Sequence, residues 1–322
     1  MKILITGGLG YIGSNLTLEL LNKNYKVFVL DNLSNSSINT KKKIIKLSKK
    51  NFFFKNADCK NKNHVTQIFK KFKPNVVIHL AGLKSVSESM SKPEVYYKEN
   101  FLSAFTILQA MKEFKVKKMI FSSSATVYGE PKYLPLDEKH ETNPNNPYGW
   151  SKLMIEDYLK NFCFLNKDFS IVSLRYFNPV GSDKSGILRD NPKFPNNLFP
   201  RVLNFCSGKI KYLPIYGNNY PTRDGTAIRD YIHILDLVDA HIQMIKFLRK
   251  KKKFKIFNVG TGYGYTVIEI LNNFTKKNKI KIKTKIMKKR KGDVVKMYAS
   301  VKKIYNTIGW KSKYNLDDMC KL

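Results

Sequence analysis

Acidic side chains are scarce in this chain: 24 Asp and Glu stand against 59 Lys and Arg, for a formal net charge of +35. Such an excess commonly points to a polyanionic partner, but arginine is scarcer still. Arg175, Arg189, Arg201, Arg223, Arg229, Arg249 and Arg290 are the whole set, leaving 52 lysines dispersed along the sequence. Sequence-specific nucleic-acid readers rely on arginine forks and on aromatic platforms interleaved with basic residues. Neither pattern is present, so no specific nucleic-acid partner is expected, only a weak, salt-sensitive affinity for polyanions. The densest runs, Arg249 to Lys253 and Lys276 to Lys291, read as a helix end with its loop and as a solvated face around a strand.

Cysteine is sparse as well. Cys59, Cys163, Cys206 and Cys320 have no paired spacing, and the five histidines show no ligand pattern, so neither a disulfide framework nor a metal site is expected. No run approaches the ~20 apolar residues of a membrane span. A strand-like Lys2-Ile3-Leu4-Ile5 follows Met1 directly, leaving no room for a secretory signal, and the expected location is the cytoplasm. Repeats and a disordered tail are also missing.

What is present begins with glycine. Gly7, Gly10 and Gly13 form Gly-x-x-Gly-x-x-Gly between a strand ending at Thr6 and a helix running through Leu16, Leu18, Leu20 and Leu21. The first glycines permit a tight turn and backbone approach to a pyrophosphate at a helix N-terminus, and the last permits close helix–strand packing. The next strand, Tyr25 to Leu30, ends in Asp31, 18 residues after Gly13. That is the distance at which a carboxylate takes both ribose hydroxyls, which selects NAD.

Alternation then continues. Helices are expected near Thr40 to Lys50, Val65 to Phe72 and Tyr96 to Phe114, with strands at Phe52 to Lys55, Asn75 to Ala81, Lys118 to Ser122 and Ser170 to Tyr176. Such a pattern predicts an α/β fold, a doubly wound parallel sheet of the Rossmann type with its ligand at the C-terminal strand ends. Past Asn178-Pro179 the composition shifts to Pro, Gly and Asn, suggesting loops and short elements over the cleft. Arg229-Asp230-Tyr231-Ile232-His233 leads into a helix to about Leu248, and Lys255 to Val259 reads as a strand returning to the sheet. The expected division is a dinucleotide-binding domain of residues 1–177 plus about 231–260, and a smaller, discontinuous α/β lobe of 178–230 plus 261–322.

The stretch that organises the rest is Asn146-Pro147-Tyr148-Gly149-Trp150-Ser151-Lys152. Pro147 suits the opening of a helix, which places Tyr148 and Lys152 one turn apart on one face. An ammonium beside a phenol favours the phenolate, so the spacing predicts a tyrosine whose proton affinity is pulled down toward that of a general base. The serines Ser122, Ser123 and Ser124, at a C-terminal strand end, would lie opposite it.

These residues, with the segments 6–14, 79–89, 121–130, 146–156, 174–181, 195–200, 220–237 and 291–299, resemble the extended short-chain dehydrogenase/reductase family over nearly the whole chain. The likeness is to its nucleotide-sugar epimerases. It implies that Tyr148 is the acid/base, that Lys152 orients the nicotinamide ribose and depresses the tyrosine pKa, and that Ser124 hydrogen-bonds the sugar 4-hydroxyl. Gly7, Gly10, Tyr11, Ile12, Gly13, Asp31, Asn32, Asp58, Leu80, Ala81, Gly82, Lys84 and Phe177 would bind NAD. The nucleotide-sugar would meet Asn178, Asn197, Leu198, Tyr216, Arg229, Arg290 and Asp293, with Met297 beside the sugar's 2-substituent. In a chain so poor in arginine, the arginines that persist are candidates for sites where a planar fork on a diphosphate matters.

The implied reaction interconverts UDP-glucose and UDP-galactose through a 4-keto sugar, with a homodimer as the working assembly and no membrane partner. One departure is Glu99-Asn100, where the family commonly has paired asparagines. The rival within the family is a 4,6-dehydratase, whose elimination of water needs the Asp-Glu pair that follows the serine or threonine. This chain has Ala125-Thr126 there. A cofactor-sensing binding protein on the same fold would not need Tyr148, Lys152 and Ser124 together.

Overall fold

Runs of Ile, Val and Leu too short for helices, and apolar on both faces, build a parallel sheet covered by helices on each side. The computed structural model describes residues 1–193, 195–249, 253–290 and 292–322. In it β1 (Lys2–Thr6), β2 (Lys26–Asp31), β3 (Phe53–Asn56), β4 (Val76–His79), β5 (Lys118–Ser124) and β6 (Ser170–Tyr176) join the strand Phe254–Val259 in one sheet. Every pairing in it is parallel, in the order Phe254–Val259, β6, β5, β4, β1, β2, β3. The order reverses between β1 and β4, so the connections leaving their C-terminal ends diverge and open a crevice there. This is the doubly wound sheet expected from the alternation.

Each face of the sheet has its own core. Helices Tyr11–Asn22, Ile38–Ser48 and Ile234–Phe247 bury Leu16, Leu20, Ile44, Leu237 and Ile245 on one side. On the other, Lys62–Phe72, Pro93–Glu113 and Pro147–Leu165 bury Phe69, Ile107, Met111, Ile155 and Leu159. Helix starts fall earlier than the apolar periodicity suggested, because caps set them: the Ser37 side chain accepts from Asn39 N, Asn61 from His64 N, and Pro93 stands at the start of its helix. Short elements escape periodicity altogether, among them the helices Val86–Ser89 and Leu198–Cys206. Of the basic run Arg249 to Lys253, the residues Lys250, Lys251 and Lys252 lie outside the described ones, and Arg249 donates to Met1 Sδ at 3.7 Å. In the second run the strand Thr284–Met287 is exposed throughout.

Over the crevice lie short strands drawn from distant segments. Asn178–Val180 pairs with Tyr231–His233, Leu213–Tyr216 with Thr284–Met287, and Ile228–Arg229 with both Tyr265–Thr266 and Lys296–Met297. Asp230 ties them together: its carboxylate accepts from Thr261 N at 2.8 Å, Gly262 N at 3.0 Å and Ala299 N at 3.1 Å. Beneath, helix Pro147–Leu165 is fastened to β6 by a buried ion pair, Arg175 Nη2 to Glu156 Oε2 at 2.6 Å, with Ser173 Oγ donating to Glu156 Oε1 at 2.8 Å.

Candidate functional site

The β1 turn is built for close approach. Gly7 has φ +69°, and a Cβ there would stand 2.9 Å from Ala81 N; one on Gly13 would stand 2.2 Å from Gly7 O. Gly10 precedes helix Tyr11–Asn22 without a side-chain cap, which leaves the first-turn N–H groups of the helix without a capping side chain. Asp31 ends β2 with its carboxylate fixed, Oδ2 accepting from Leu9 N at 2.9 Å and Oδ1 from Leu33 N at 2.9 Å. Asn32 Nδ2 donates to Asp58 Oδ2 at 3.4 Å. Leu80 N donates to Thr6 O and Ala81 N to Thr6 Oγ1, which holds the β4 loop against the glycine turn.

Glu99 does not face an asparagine-like role: Lys60 Nζ bridges its Oε2 at 2.5 Å and Asp58 Oδ2 at 3.7 Å. The neighbouring Asn100 is buried and locks the β4 loop to helix Pro147–Leu165, accepting from Leu83 N at 2.7 Å and donating to Ser151 Oγ at 2.8 Å.

Tyr148 and Lys152 stand on the first turns of that helix, which Asn146 caps by accepting from Gly149 N at 2.9 Å, with Pro147 opening it as expected. Both side chains are buried, and Ser124 lies within hydrogen-bonding reach of the phenol. Ser124 Oγ is itself oriented by Thr126, whose Oγ1 donates to it at 2.9 Å. The electrostatics differ from the sequence expectation. Burial raises the Tyr148 pKa, opposed only by the Ser124 hydrogen bond. The ammonium does not lower it because Lys152 Nζ donates to the Ser122 carbonyl at 2.8 Å and lies 6.0 Å from the phenol ring centre. Burial also pushes the Lys152 ammonium down to about 8, with the Glu156 carboxylate working in the other direction. A Cβ on Gly82 would lie 3.6 Å from Lys152 Nζ and one on Gly7 2.9 Å from Ala81 N, so the loop after β4 adjoins both the Tyr-Lys pair and the glycine turn.

The remaining expected residues divide into three places. Lys84 pairs with Asp190 at 3.4 Å, beside Tyr11, whose hydroxyl donates to Gly181 O at 2.9 Å. Phe177 and Met297 pack together in a buried apolar cluster with Ala125, Leu153 and Val294, and Asn178 N donates to Asp230 O. In the upper lobe Arg229 faces Asp293 at 3.7 Å, Arg290 lies over the Tyr216 ring at 3.8 Å from its centre, and Asn197 and Leu198 open the helix Leu198–Cys206. Three contributors went unread in the sequence, Asp230, Lys60 and Arg201, while Asn100 stood out only as the remaining member of the paired asparagines. Arg201 carried a signal as well, as one of the few arginines.

Residues 4–322 match the family model described as GDP-mannose 4,6 dehydratase. The chain is 44% identical over 321 residues to a UDP-glucose 4-epimerase of Yersinia enterocolitica, covering 99% of this chain and 95% of that protein. It is 40% identical, over 99% of this chain and 95% of the relative, to a UDP-glucose 4-epimerase of Bacillus subtilis. The chain belongs to the UDP-glucose 4-epimerase family. A solved structure of this family, the Bifidobacterium longum UDP-glucose 4-epimerase in complex with NAD+ and UDP, superposes with a TM-score of 0.97 at 40% identity, covering 99% of this chain and 96% of that one. The residues here fit a dinucleotide: two glycines leave no room for a side chain, a helix N-terminus opens beside them, and the Asp31 carboxylate is held rigidly at the end of β2. In the dehydratase pattern carboxylates would follow Ser124, where this family member has Ala125 and Thr126.

The Lys152 environment has a measurable consequence. Between about pH 8 and 10.5 the unfolded lysine keeps a proton that the folded one has lost, so stability rises with pH in that window and its contribution is lost as pH falls through 8. Lys152→Met removes this dependence. Urea unfolding at roughly pH 7.5 and 9.5 should show the native protein gaining on the variant at the higher pH, by at most about 1.4 kcal/mol per unit. The opposite slope would mean that the folded ammonium is stabilised.

Proposed function

We propose that this protein interconverts UDP-glucose and UDP-galactose by inverting the sugar at C4 through a transient 4-keto sugar, with NAD held tightly throughout. The observation that carries the proposal is the grouping of Ser124, Tyr148 and Lys152 beside Gly82, with no carboxylate after Ser124. Residues 1–177 plus about 231–260 would hold NAD, through Gly7, Gly10, Gly13, Asp31, Asp58 and Lys84. Residues 178–230 plus 261–322 would hold the UDP-sugar. When bound, NAD supplies a reversible acceptor for the two electrons that oxidation of C4 releases. Tyr148 takes the 4-hydroxyl proton, relayed by Ser124, and returns it after the keto sugar has turned over. Lys152, held by the Ser122 carbonyl, would orient the nicotinamide ribose. A dehydratase reading has only the description of the matched family model in its favour, and Ala125 and Thr126 stand where its Asp-Glu pair would follow Ser124.

Tyr148→Phe should fold, retain NAD and UDP, and lose turnover by about 10²- to 10⁴-fold. A coupled assay with UDP-galactose checks this, and a near-normal rate would remove the tyrosine from the mechanism. The redox state of the cofactor pool should not change during native turnover.

The working assembly is a homodimer in the cytoplasm, where the four free cysteines stay reduced. Leu102, Phe105 and Met154 are exposed on helices Pro93–Glu113 and Pro147–Leu165, next to a cluster of the Phe101, Phe105 and Tyr158 rings. A second copy would bury this face. Light scattering at micromolar concentration should give twice the chain mass; a monomer rejects the pairing.

Met297 would gate the sugar's 2-substituent. An unbranched thioether can move aside where a fixed ring could not, so a side activity on UDP-N-acetylglucosamine is expected at about 10- to 200-fold below the main one. Met297→Tyr should abolish it and Met297→Gly raise it, read as the ratio of the two rates. An unchanged ratio assigns the gate elsewhere.

A further inference from the structure

Of the upper-lobe arginines to which neither the resemblance nor the Tyr-Lys chemistry gives a role, Arg201 is the one that shares a ring with Arg290. Arg201 stands near the N-terminus of helix Leu198–Cys206, where the helix dipole disfavours a cation. Its guanidinium is nevertheless held there by two hydrogen bonds, Nε to Pro195 O at 2.9 Å and Nη1 to the Tyr216 hydroxyl. Arg290 approaches the same ring, 3.8 Å from its centre against 5.0 Å for Arg201, and its Nη2 donates to Asn196 O at 3.2 Å. Two guanidiniums therefore bracket one phenol and tether two successive backbone carbonyls just before Asn197.

Charge in this corner does not balance. Arg229 faces Asp293 at 3.7 Å, and Asp293 is also the carboxylate whose field reaches Arg290. Arg229 and Arg290 thus share this one carboxylate, and Arg201, whose field also reaches Arg290, adds a third positive charge to the corner. The strain of that surplus is visible in Arg290, whose pKa is lowered first by burial and then, against the pull of Asp293, by Arg201. The two cations also draw the Tyr216 pKa down against the effect of its burial. Like charges gathered in a partly buried pocket are retained when a ligand of opposite charge completes them.

We infer that Arg201 is a further substrate-binding residue, which with Arg229 and Arg290 matches the two negative charges of a nucleoside diphosphate and, through Tyr216, positions its base. The inference rests on the UDP-sugar reading above and adds to it a residue outside the set that the family likeness implies. Arg201 joins Asn197, Leu198 and Tyr216 into one unit, so its loss both removes charge and loosens the wall on which the nucleotide lies. Its contacts are with Pro195, Asn197 and Tyr216, and it plays no part in the proton transfer.

The test is calorimetric titration of the NAD-loaded protein with UDP at low and at physiological salt, beside steady-state rates with UDP-galactose, for the native protein, Arg201→Gln, Arg201→Lys and Tyr216→Phe. Arg201→Gln should raise the UDP Kd and the KM by about 10- to 100-fold, leave kcat within roughly threefold, and flatten the salt dependence of binding. Arg201→Lys should recover the salt dependence but only part of the affinity, because an ammonium keeps the charge and loses the fork. Tyr216→Phe, which removes only the hydroxyl that Arg201 grips, should weaken UDP binding with the salt dependence intact. Unchanged UDP affinity and salt dependence in Arg201→Gln would overturn the inference while leaving the epimerase reading in place. A fall in kcat and melting temperature without a change in UDP affinity would also overturn it, by assigning Arg201 a structural role. Native protein that binds no UDP at all would instead sink the reading on which the inference depends.

Discussion

The buried contact between Arg175 and Glu156 decides how the chemistry is presented. Tyr148, Lys152 and Glu156 follow one another at four-residue intervals on one helix, so they share the face turned to the sheet. Fixing Glu156 against β6 fixes the roll of that helix. Such a pair adds little net stability, since each ion gives up its hydration, but separating the partners leaves a bare charge in the interior. Alternative rolls are therefore disfavoured far more strongly than the native one is favoured. Arg175 also stacks on Tyr128 at 4.7 Å, and the Tyr128 hydroxyl donates to Asn258 on the neighbouring strand at 2.6 Å. The helix, two strands and the loop after Ser124 are thereby set by one connected group of polar contacts.

How much was legible in the sequence follows from how local each feature is. The glycine turn, the Asp31 spacing and the strand–helix alternation depend on neighbours a few positions apart, and they were readable. Pro147 and the four-residue spacing likewise placed Tyr148 and Lys152 on one helix face. The sign of the tyrosine's pKa shift was not readable, because it depends on the depth of the phenol and on a carbonyl thirty positions upstream that draws the ammonium away. Asn100 reaches Ser151 across 51 positions, and Arg201 reaches Tyr216 from a helix too short for periodicity to reveal. Composition gave the one usable hint for the latter. Where lysine has displaced most arginine, a surviving arginine marks a requirement for shape.

The same logic extends to the acids. Few remain, and several of them organise backbone rather than surface charge. Asp31 holds Leu9 N and Leu33 N, Asp236 holds Lys313 N and Tyr314 N, and Asp230 gathers three N–H groups from two separate loops. A lysine drift that had consumed these carboxylates would have left buried donors unmet, each costing about 1–3 kcal/mol. The interior thus keeps the anions that its backbone donors require.

The stitched upper lobe also dictates an order of events during synthesis. Six strands of the sheet are complete once Tyr176 has emerged, yet β6 then lacks its outer neighbour, which arrives only with Phe254–Val259. Strand Ile228–Arg229 gains its first partner only with Tyr265–Thr266 and its second with Lys296–Met297. At translation speeds of about 5–20 residues per second, an open parallel edge persists on the nascent chain for several seconds. The chain therefore passes through a stage in which six strands and the glycine turn are present while the short strands over the crevice are not, and the last strand of the sheet must find an edge that has stayed open.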